Sequence, residues 1–176
     1  MKEVLEKINN QVNLSMGEMQ DAMNQIMSGK VNDIDIESFL IGLNIKGISE
    51  EEITAAAMIM REKSLQIDIG DGSHIDTCGT GGTGLHTFNC STASSFVAAA
   101  GGAKITKHGN KAISSMSGSA DFLVEAGANI NHDRSMLDNI FNEIGFVFLF
   151  APLHHQAMKY VMPVRQKIAA KTIFNL

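Results

Sequence analysis

The chain has 176 residues, of which 44% are hydrophobic and 19% charged, and its net charge at pH 7 is −5. A chain of this length can bury a hydrophobic core and is expected to form one domain, or a domain with a small appendage. The negative charge argues against nucleic acid as the main partner, because duplex binding relies on surplus Lys and Arg. No apolar run reaches the ~20 residues that a membrane span needs, so we expect a cytoplasmic protein without a membrane partner.

Residues 1–66 show helical periodicity throughout and are predicted to form a small, all-helical N-terminal domain. Two capping boxes, which begin helices, are predicted in it: Ser15 with Glu18, and Ser49 with Glu52. Apolar residues recur at helical spacing and predict one stripe, formed by Met16, Met19, Met23, Ile26 and Met27. The stripe is open to two interpretations, a core within the domain or a surface that also meets a second subunit.

The remainder of the chain is predicted to be an α/β domain over residues 74–176, joined to the helices by an Asp- and Gly-rich hinge at residues 67–73. Strands are predicted at residues 74–78, 103–106, about 129–131 and 146–150, and helices at residues 92–100, 120–126 and 135–144. Such alternation predicts a mainly parallel sheet with crossover helices.

A glycine-dense turn follows the first predicted strand and contains Gly79, Gly81, Gly82 and Gly84. Bare amides in this turn, and those at the start of the next helix near Asn89 and Ser91, can face an anion. After the following strand, Lys107 adds a mobile cation and Asn110 an amide that can both donate and accept. Exposed amides beside a cation suit phosphate, so this segment predicts a diphosphate site.

Other interpretations of the glycine turn were weighed against this one. The segment from Gly79 to Gly84 satisfies G-x-G-x-x-G, but a dinucleotide fold needs an acidic residue about 20 positions on, and this chain has lysines there. A Walker A loop is excluded because no Lys and Ser or Thr follow the glycines. A turn that merely lets a strand pack closely on a helix stays open as the structural alternative.

The chain has two cysteines, Cys78 and Cys90, which bracket the glycine turn. We interpret them as reduced packing residues in preference to a disulfide or a metal pair, given the cytosolic character of the sequence.

Several blocks of the sequence together resemble the N-terminal half of the anthranilate phosphoribosyltransferase family. These blocks are GTGGTG and TFNCST within residues 79–92, KHGNKAISS at residues 107–115, GSAD at residues 118–121, and FLFAP with PVR between residues 148 and 165. They occur in the family's order and cover the stretch from Asp76 to the end of the chain.

The resemblance implies a fold and a reaction. The fold is a helical domain beside an incomplete, mainly parallel-sheet phosphoribosyltransferase domain of the nucleoside phosphorylase-like type. The reaction is transfer of a phosphoribosyl group from phosphoribosyl pyrophosphate to the amine of anthranilate, with release of pyrophosphate, in tryptophan biosynthesis. The family also implies Mg²⁺ as cofactor and a homodimer formed through the N-terminal helices.

Site residues are implied by the same motifs. Contacts to the phosphoribosyl donor are implied for Gly79, Gly82, Thr83, Thr87, Asn89, Ser91, Thr92, Lys107, Ser115 and Ser119. Contacts to anthranilate are implied for Gly79, His108, Asn110, His155 and Arg165. The catalytic residues implied are Lys107, Asn110 and Arg165, and Ser91 is implied as a ligand of Mg²⁺.

The sequence departs from the family pattern at two points. Thr83 stands where the family carries an aspartate, and the Asp-Glu pair of the second magnesium site does not occur in this chain. The final residues, 168–176, read as an apolar interior passage, so we expect a shortened family member that self-associates. The alternative function is therefore a non-catalytic remnant that binds phosphate or pyrophosphate, or that serves subunit interaction.

Overall fold

The computed structural model describes residues 1–65, 67, 70, 72–79, 88–112 and 117–175. In chain order the helices and strands are α1 (Lys2–Asn9), α2 (Met16–Met27), α3 (Asp33–Lys46), α4 (Glu50–Lys63), α5 (Cys90–Ala100), β1 (Ile105–Gly109), α6 (Ser119–Glu125), α7 (Arg134–Ile144), β2 (Phe146–Phe150), α8 (Ala151–His154) and α9 (Met162–Ile168). Short 3₁₀ helices span Gln156–Tyr160 and Ile173–Asn175. The chain divides into two compact units, Met1–Ser64 with His155–Leu176, and Leu65–His154.

The helical unit begins its helices where the sequence predicts. Ser15 and Ser49 each accept a hydrogen bond from the backbone N–H three residues on, and the glutamate at that position bonds back to the cap. These reciprocal bonds satisfy amides that have no helical partner, so both predicted capping boxes are confirmed. Gly47 follows α3 with a φ of 83°, a conformation that glycine adopts without a Cβ penalty.

The predicted apolar stripe lies in the core of the helical unit. Met19, Met23, Ile26 and Met27 are buried there with residues of α3 and α4, and Met16 packs against them partly buried. Burial of such side chains contributes roughly 1.5–3 kcal/mol each, which makes this core the main source of stability in the unit. The interpretation of the stripe as a core within the domain is confirmed.

Residues 155–176 pack differently from the sequence-based division. The sequence pattern assigns them to the α/β domain, whereas in the structure they belong to the helical unit. Val161, Val164 and Ile173 are buried in the core formed by the N-terminal helices. Apolar burial, which has no directional requirement, gives these three side chains their partners in that core. Of the predicted hinge at residues 67–73, residues 68, 69 and 71 lie outside the described part of the chain.

The second unit contains a parallel pair of strands. β1 and β2 run in register from Ile105 opposite Phe146 to Gly109 opposite Phe150. The prediction for residues 146–150 is confirmed, and the strand predicted at residues 103–106 begins later and continues to Gly109. Together with α5, α6 and α7, each found within a few residues of its predicted start, this confirms a helical N-terminal domain followed by an α/β domain with a parallel sheet.

Two of the predicted strands do not form. Residues 74–78 contribute only a parallel bridge between Ile75 and Ile105. The pairing stops there because one carboxylate oxygen of Asp76 accepts the N–H groups of both Cys78 and His108, at 2.8 and 3.1 Å, where a ladder would use main-chain carbonyls. Residues 129–131 turn instead, since the Asn129 side chain accepts the N–H of Asn131 at 2.9 Å.

None of the helices among the described residues combines the length and apolar character needed to cross a bilayer.

Candidate anion-binding site

Lys107 lies in the middle of β1 and is almost completely buried, with 1% of its surface exposed. Its ammonium group donates to the hydroxyl oxygens of Thr77, at 3.2 Å, and Ser91, at 3.3 Å. The prediction of a mobile lysine in a basic loop is therefore wrong. The backbone of β1 and two hydrogen bonds hold the charge in place, between the segment that precedes the glycine turn and the helix that follows it.

The electrostatic setting of Lys107 is unusual for a buried lysine. Among the described residues, no carboxylate lies within ion-pair distance of its ammonium. Burial lowers the pKa of Lys107, and electrostatic interactions with Cys78 and Asp76 only partly oppose that effect. Buried charges are normally paired with an opposite charge, because desolvation of an unpaired ion is costly. The site therefore favours an incoming anion.

The start of α5 is built around Asn89. Its side-chain oxygen accepts the N–H and the hydroxyl of Thr92, at 3.3 and 2.9 Å, and the hydroxyl of Ser91 at 3.4 Å. The hydroxyl of Thr77 donates to the main-chain carbonyl of Ser91 at 2.9 Å. These bonds fasten the helix start beside Lys107, and the positive end of the helix dipole then adds to the field of the ammonium.

The KHGN and GSAD blocks are fastened to each other. The carbonyl of Asn110 accepts the hydroxyl of Ser119 at 3.3 Å. One oxygen of Asp121 accepts the N–H groups of Ala112 and Gly118, at 2.8 and 2.9 Å, and these bonds lower the pKa of the Asp121 carboxyl. The charged form of Asp121 thus joins the Ala112 and Gly118 amides and helps to hold Ser119 next to Asn110.

The last residue of β1, Gly109, lies where there is no room for a side chain. A Cβ at this position would lie 2.1 Å from the Ser119 hydroxyl and 2.5 Å from the Phe148 ring. The close approach of α6 to the sheet edge depends on the missing side chain.

His108 follows Lys107 on β1, and its ring meets that of His154 edge to face with centroids 5.7 Å apart. Its main-chain N–H is the group held by Asp76. The predicted acceptor residue His108 is thus fixed at the end of the parallel pair.

Two predicted acceptor residues, Arg165 and His155, belong to the helical unit. The Arg165 guanidinium donates to the Asn175 side-chain oxygen at 3.1 Å and lies 5.4 Å from the centroid of the Phe174 ring. Burial lowers the pKa of Arg165 and also that of His155, which lies in a cleft lined by methionines. Arg165 is consequently a partly desolvated, oriented fork in preference to a solvated surface charge.

Several predicted residues lie outside the described part of the chain: Gly82, Thr83, Thr87 and Ser115. Gly79 is described and exposed, and no atom of the other described residues would meet a Cβ placed on it. Of the predicted donor residues, the structure brings together Asn89, Ser91, Thr92 and Lys107 in one cluster, and it places Ser119 against the predicted acceptor residue Asn110.

Sequence reasoning missed Thr77, Asp76 and Asp121. The Asp121 signal was present, because Gly118 and Asp121 have the spacing of a helix cap. Thr77 and Asp76 gave no such signal, since their partners are far along the chain. The cysteines are also a correction: Cys78 and Cys90 are both free and exposed, so they are not packing residues.

Both parts of the chain match models of one enzyme family. Residues 2–64 match the helical bundle domain, and residues 71–176 the a/b domain, of the glycosyl transferase family. The chain belongs to this glycosyl transferase family.

The curated relatives that match this chain have a more specific name than the family models. An anthranilate phosphoribosyltransferase of Hydrogenovibrio crunogenus is 45% identical over 177 aligned positions, covering 100% of this chain and 52% of the relative. That of Ruthia magnifica is 48% identical with the same coverage. The chain therefore spans about half the length of the curated relatives it matches, and the resemblance predicted from its sequence blocks is confirmed.

Solved structures of anthranilate phosphoribosyltransferases resemble the fold of this chain. An anthranilate phosphoribosyltransferase from Thermus thermophilus superposes with a TM-score of 0.85 at 35% identity, covering 98% of this chain and 52% of that one. The Saccharomyces cerevisiae protein in complex with phosphoribosyl pyrophosphate and Mg gives a TM-score of 0.89 at 30% identity, with the same coverage.

Proposed function

We propose that this chain binds phosphoribosyl pyrophosphate and transfers its phosphoribosyl group to the amine of anthranilate, as a Mg²⁺-dependent enzyme of tryptophan biosynthesis. The observation that carries the proposal is the buried ammonium of Lys107, held at the start of α5 without a carboxylate partner among the described residues. The donor bound in the yeast relative is a polyanion that such a site would neutralise.

The reaction needs electrostatic stabilisation most. The bond between the anomeric carbon and the pyrophosphate oxygen breaks, a bond from carbon to the anthranilate nitrogen forms, and that nitrogen releases a proton. Charge develops on the leaving pyrophosphate, and preorganised donors aimed at such charge supply the largest catalytic contribution. Lys107 and the first amides of α5 fill this role, with Thr77 and Asn89 holding them in position.

Mg²⁺ fits the residues present. It prefers oxygen ligands and usually binds through substrate phosphates and water with one or two protein groups. The Ser91 hydroxyl, half-buried beside Lys107, is an oxygen of this kind at the predicted position. When bound, the ion would neutralise charge on the leaving pyrophosphate.

Acceptor binding is assigned to Arg165, Asn110, His108, His155 and Gly79. The planar guanidinium of Arg165 suits a carboxylate, which anthranilate carries beside its amine. An aromatic amine is neutral at pH 7, so correct placement matters more than a strong base, and placement alone can be worth several kcal/mol.

Binding of the donor without turnover is the alternative function. It rests on the buried ammonium of Lys107 as well, because that group accounts for anion binding without any catalytic step. We also propose a cytoplasmic homodimer formed through the N-terminal helices, and gel filtration against standards tests its mass.

Calorimetry with phosphoribosyl pyrophosphate and Mg²⁺ tests the donor site. Lys107→Met should abolish measurable binding, because the unbranched side chain of similar length removes the charge together with its hydrogen bonds to Thr77 and Ser91. Lys104→Met is the matched control, since Lys104 is exposed near the start of the same strand, and it should leave the affinity unchanged. Equal affinity of Lys107→Met and the parent protein would refute the site.

Turnover is followed separately by the loss of anthranilate fluorescence. Donor binding with no loss of fluorescence would select the binding-only function. Fluorescence loss that requires both the donor and Mg²⁺ would establish the transferase.

A further inference from the structure

We propose that Asn175 is a positioning residue for the acceptor: it orients the Arg165 guanidinium while leaving its charge unneutralised for the carboxylate of anthranilate. This inference rests on the proposed function of Arg165.

The Asn175 side-chain oxygen is itself fixed in place. It accepts the Thr172 N–H at 3.0 Å and the Thr172 hydroxyl at 3.4 Å, in addition to the Arg165 Nη2 at 3.1 Å. The main-chain N–H of Asn175 donates back to the Thr172 carbonyl at 2.8 Å. Thr172 is buried, so the turn that carries Asn175 is anchored in the helical unit and the oxygen has little freedom to move.

The guanidinium is oriented from a second side by an aromatic face. The Phe174 ring lies 5.4 Å from the Arg165 carbon that joins the three nitrogens, a cation–π distance. Within the part of the chain that the structure describes, Nη1 donates to the weakly accepting sulfur of Met162, at 3.8 Å. A guanidinium has five donors, so this arrangement fixes its plane and uses one strong acceptor.

The neutral side chain of Asn175 leaves the charge of Arg165 available for a substrate carboxylate. Among the described residues, no carboxylate lies within ion-pair distance of Arg165. A neutral amide oxygen orients the fork without cancelling its charge. An aspartate at position 175 would make the same bonds more strongly, but it would compete with the carboxylate of the substrate.

Two substitutions separate positioning from a purely structural role. Asn175→Asp preserves the acceptor and should maintain the urea midpoint at pH 7, yet it should weaken anthranilate binding at least tenfold. Asn175→Ala should weaken it as well, through lost orientation. Gln166→Glu adds the same charge at an exposed neighbouring position and should leave binding unchanged.

The measurement is calorimetric titration with anthranilate in the presence of pyrophosphate and Mg²⁺, with pyrophosphate affinity measured separately. Unchanged pyrophosphate affinity with weakened anthranilate affinity in Asn175→Asp supports the inference. Parental anthranilate affinity in Asn175→Asp overturns it.

A second readout keeps the inference independent of the proposed function. Hindered rotation of the Arg165 guanidinium is visible in nitrogen-detected NMR of the arginine side chains. If the parent protein binds no anthranilate, the proposed acceptor function fails for this chain. The positioning claim then stands if Asn175→Ala releases that rotation, and it falls if the Arg165 signals are the same in both proteins.

Discussion

Glu52 and Lys46 form a buried ion pair whose disruption should destabilise the helical unit strongly. Their side chains are 0% and 1% exposed and the Lys46 Nζ lies 2.8 Å from the Glu52 Oε2. The same carboxylate accepts the N–H groups of Leu14 and Ser49, each at 2.8 Å. Lys46 also donates to the Asn13 side chain and the Gly47 carbonyl, so the ammonium and both carboxylate oxygens of the pair all have hydrogen-bond partners.

Glu52→Gln would leave the Lys46 ammonium buried without its counter-charge. Breaking a buried pair from one side costs about 3–5 kcal/mol. Glutamine retains one oxygen for the Leu14 N–H but turns an NH₂ group toward Lys46 and Ser49, so we expect a loss of about 3 kcal/mol or slightly more. Against a total of about 5–15 kcal/mol for a typical protein, this is a large fraction.

Urea titration followed by circular dichroism at the helix band measures the loss. Glu18→Gln is the matched control, because Glu18 occupies the same position of the other capping box but is 34% exposed, with its partner Lys7 44% exposed. Its loss should be much smaller. The double variant Lys46→Met/Glu52→Gln should be more stable than Glu52→Gln alone. A loss below about 1 kcal/mol for Glu52→Gln, or no recovery in the double variant, would refute the reasoning.

Three further predictions concern local structure. The lysine partner of Glu18 lowers its pKa from 4.5 to about 2, so its contribution to stability is complete above pH 4.5 and lost as the pH falls through about 2. The urea-midpoint difference between the parent and Glu18→Gln should shrink across that window, and a pH-independent difference would contradict this. Gly109→Ala should abolish the protection of the β1 amides from hydrogen exchange, because the new Cβ would lie 2.5 Å from the Phe148 ring; parental protection would show that this ring can move to make room. Asp121→Ala should lower stability by about 1 kcal/mol and speed exchange of the Gly118 amide, which loses its acceptor, and unchanged exchange would count against that clamp.

Features that depend on neighbours in the chain were predictable from the sequence. The capping boxes at Ser15 and Ser49 were found because the cap and its partner are three residues apart. β2 was found because an unbroken apolar run is bounded by Gly145 and Pro152. The composition of the glycine turn, with Lys107 further along the chain, was sufficient to predict an anion site, since bare amides and a positive charge follow from residue type alone.

Features that depend on distant partners were not predictable in this way. Asp76 ends the pairing of its segment through the N–H of His108, which is 32 positions away. Asn175 holds Arg165 from a turn ten residues further along the chain, and no sequence pattern indicates that these two side chains meet.

The sequence by itself determined where helices begin, which residues carry charge and hydroxyl groups, and that an anion is the ligand to expect. Only the tertiary structure decided that Lys107 is a buried, fixed charge and that residues 155–175 pack with the N-terminal helices. The physical reason is that desolvation and apolar burial depend on everything that surrounds a side chain, whereas caps and periodicity depend only on residues a turn away.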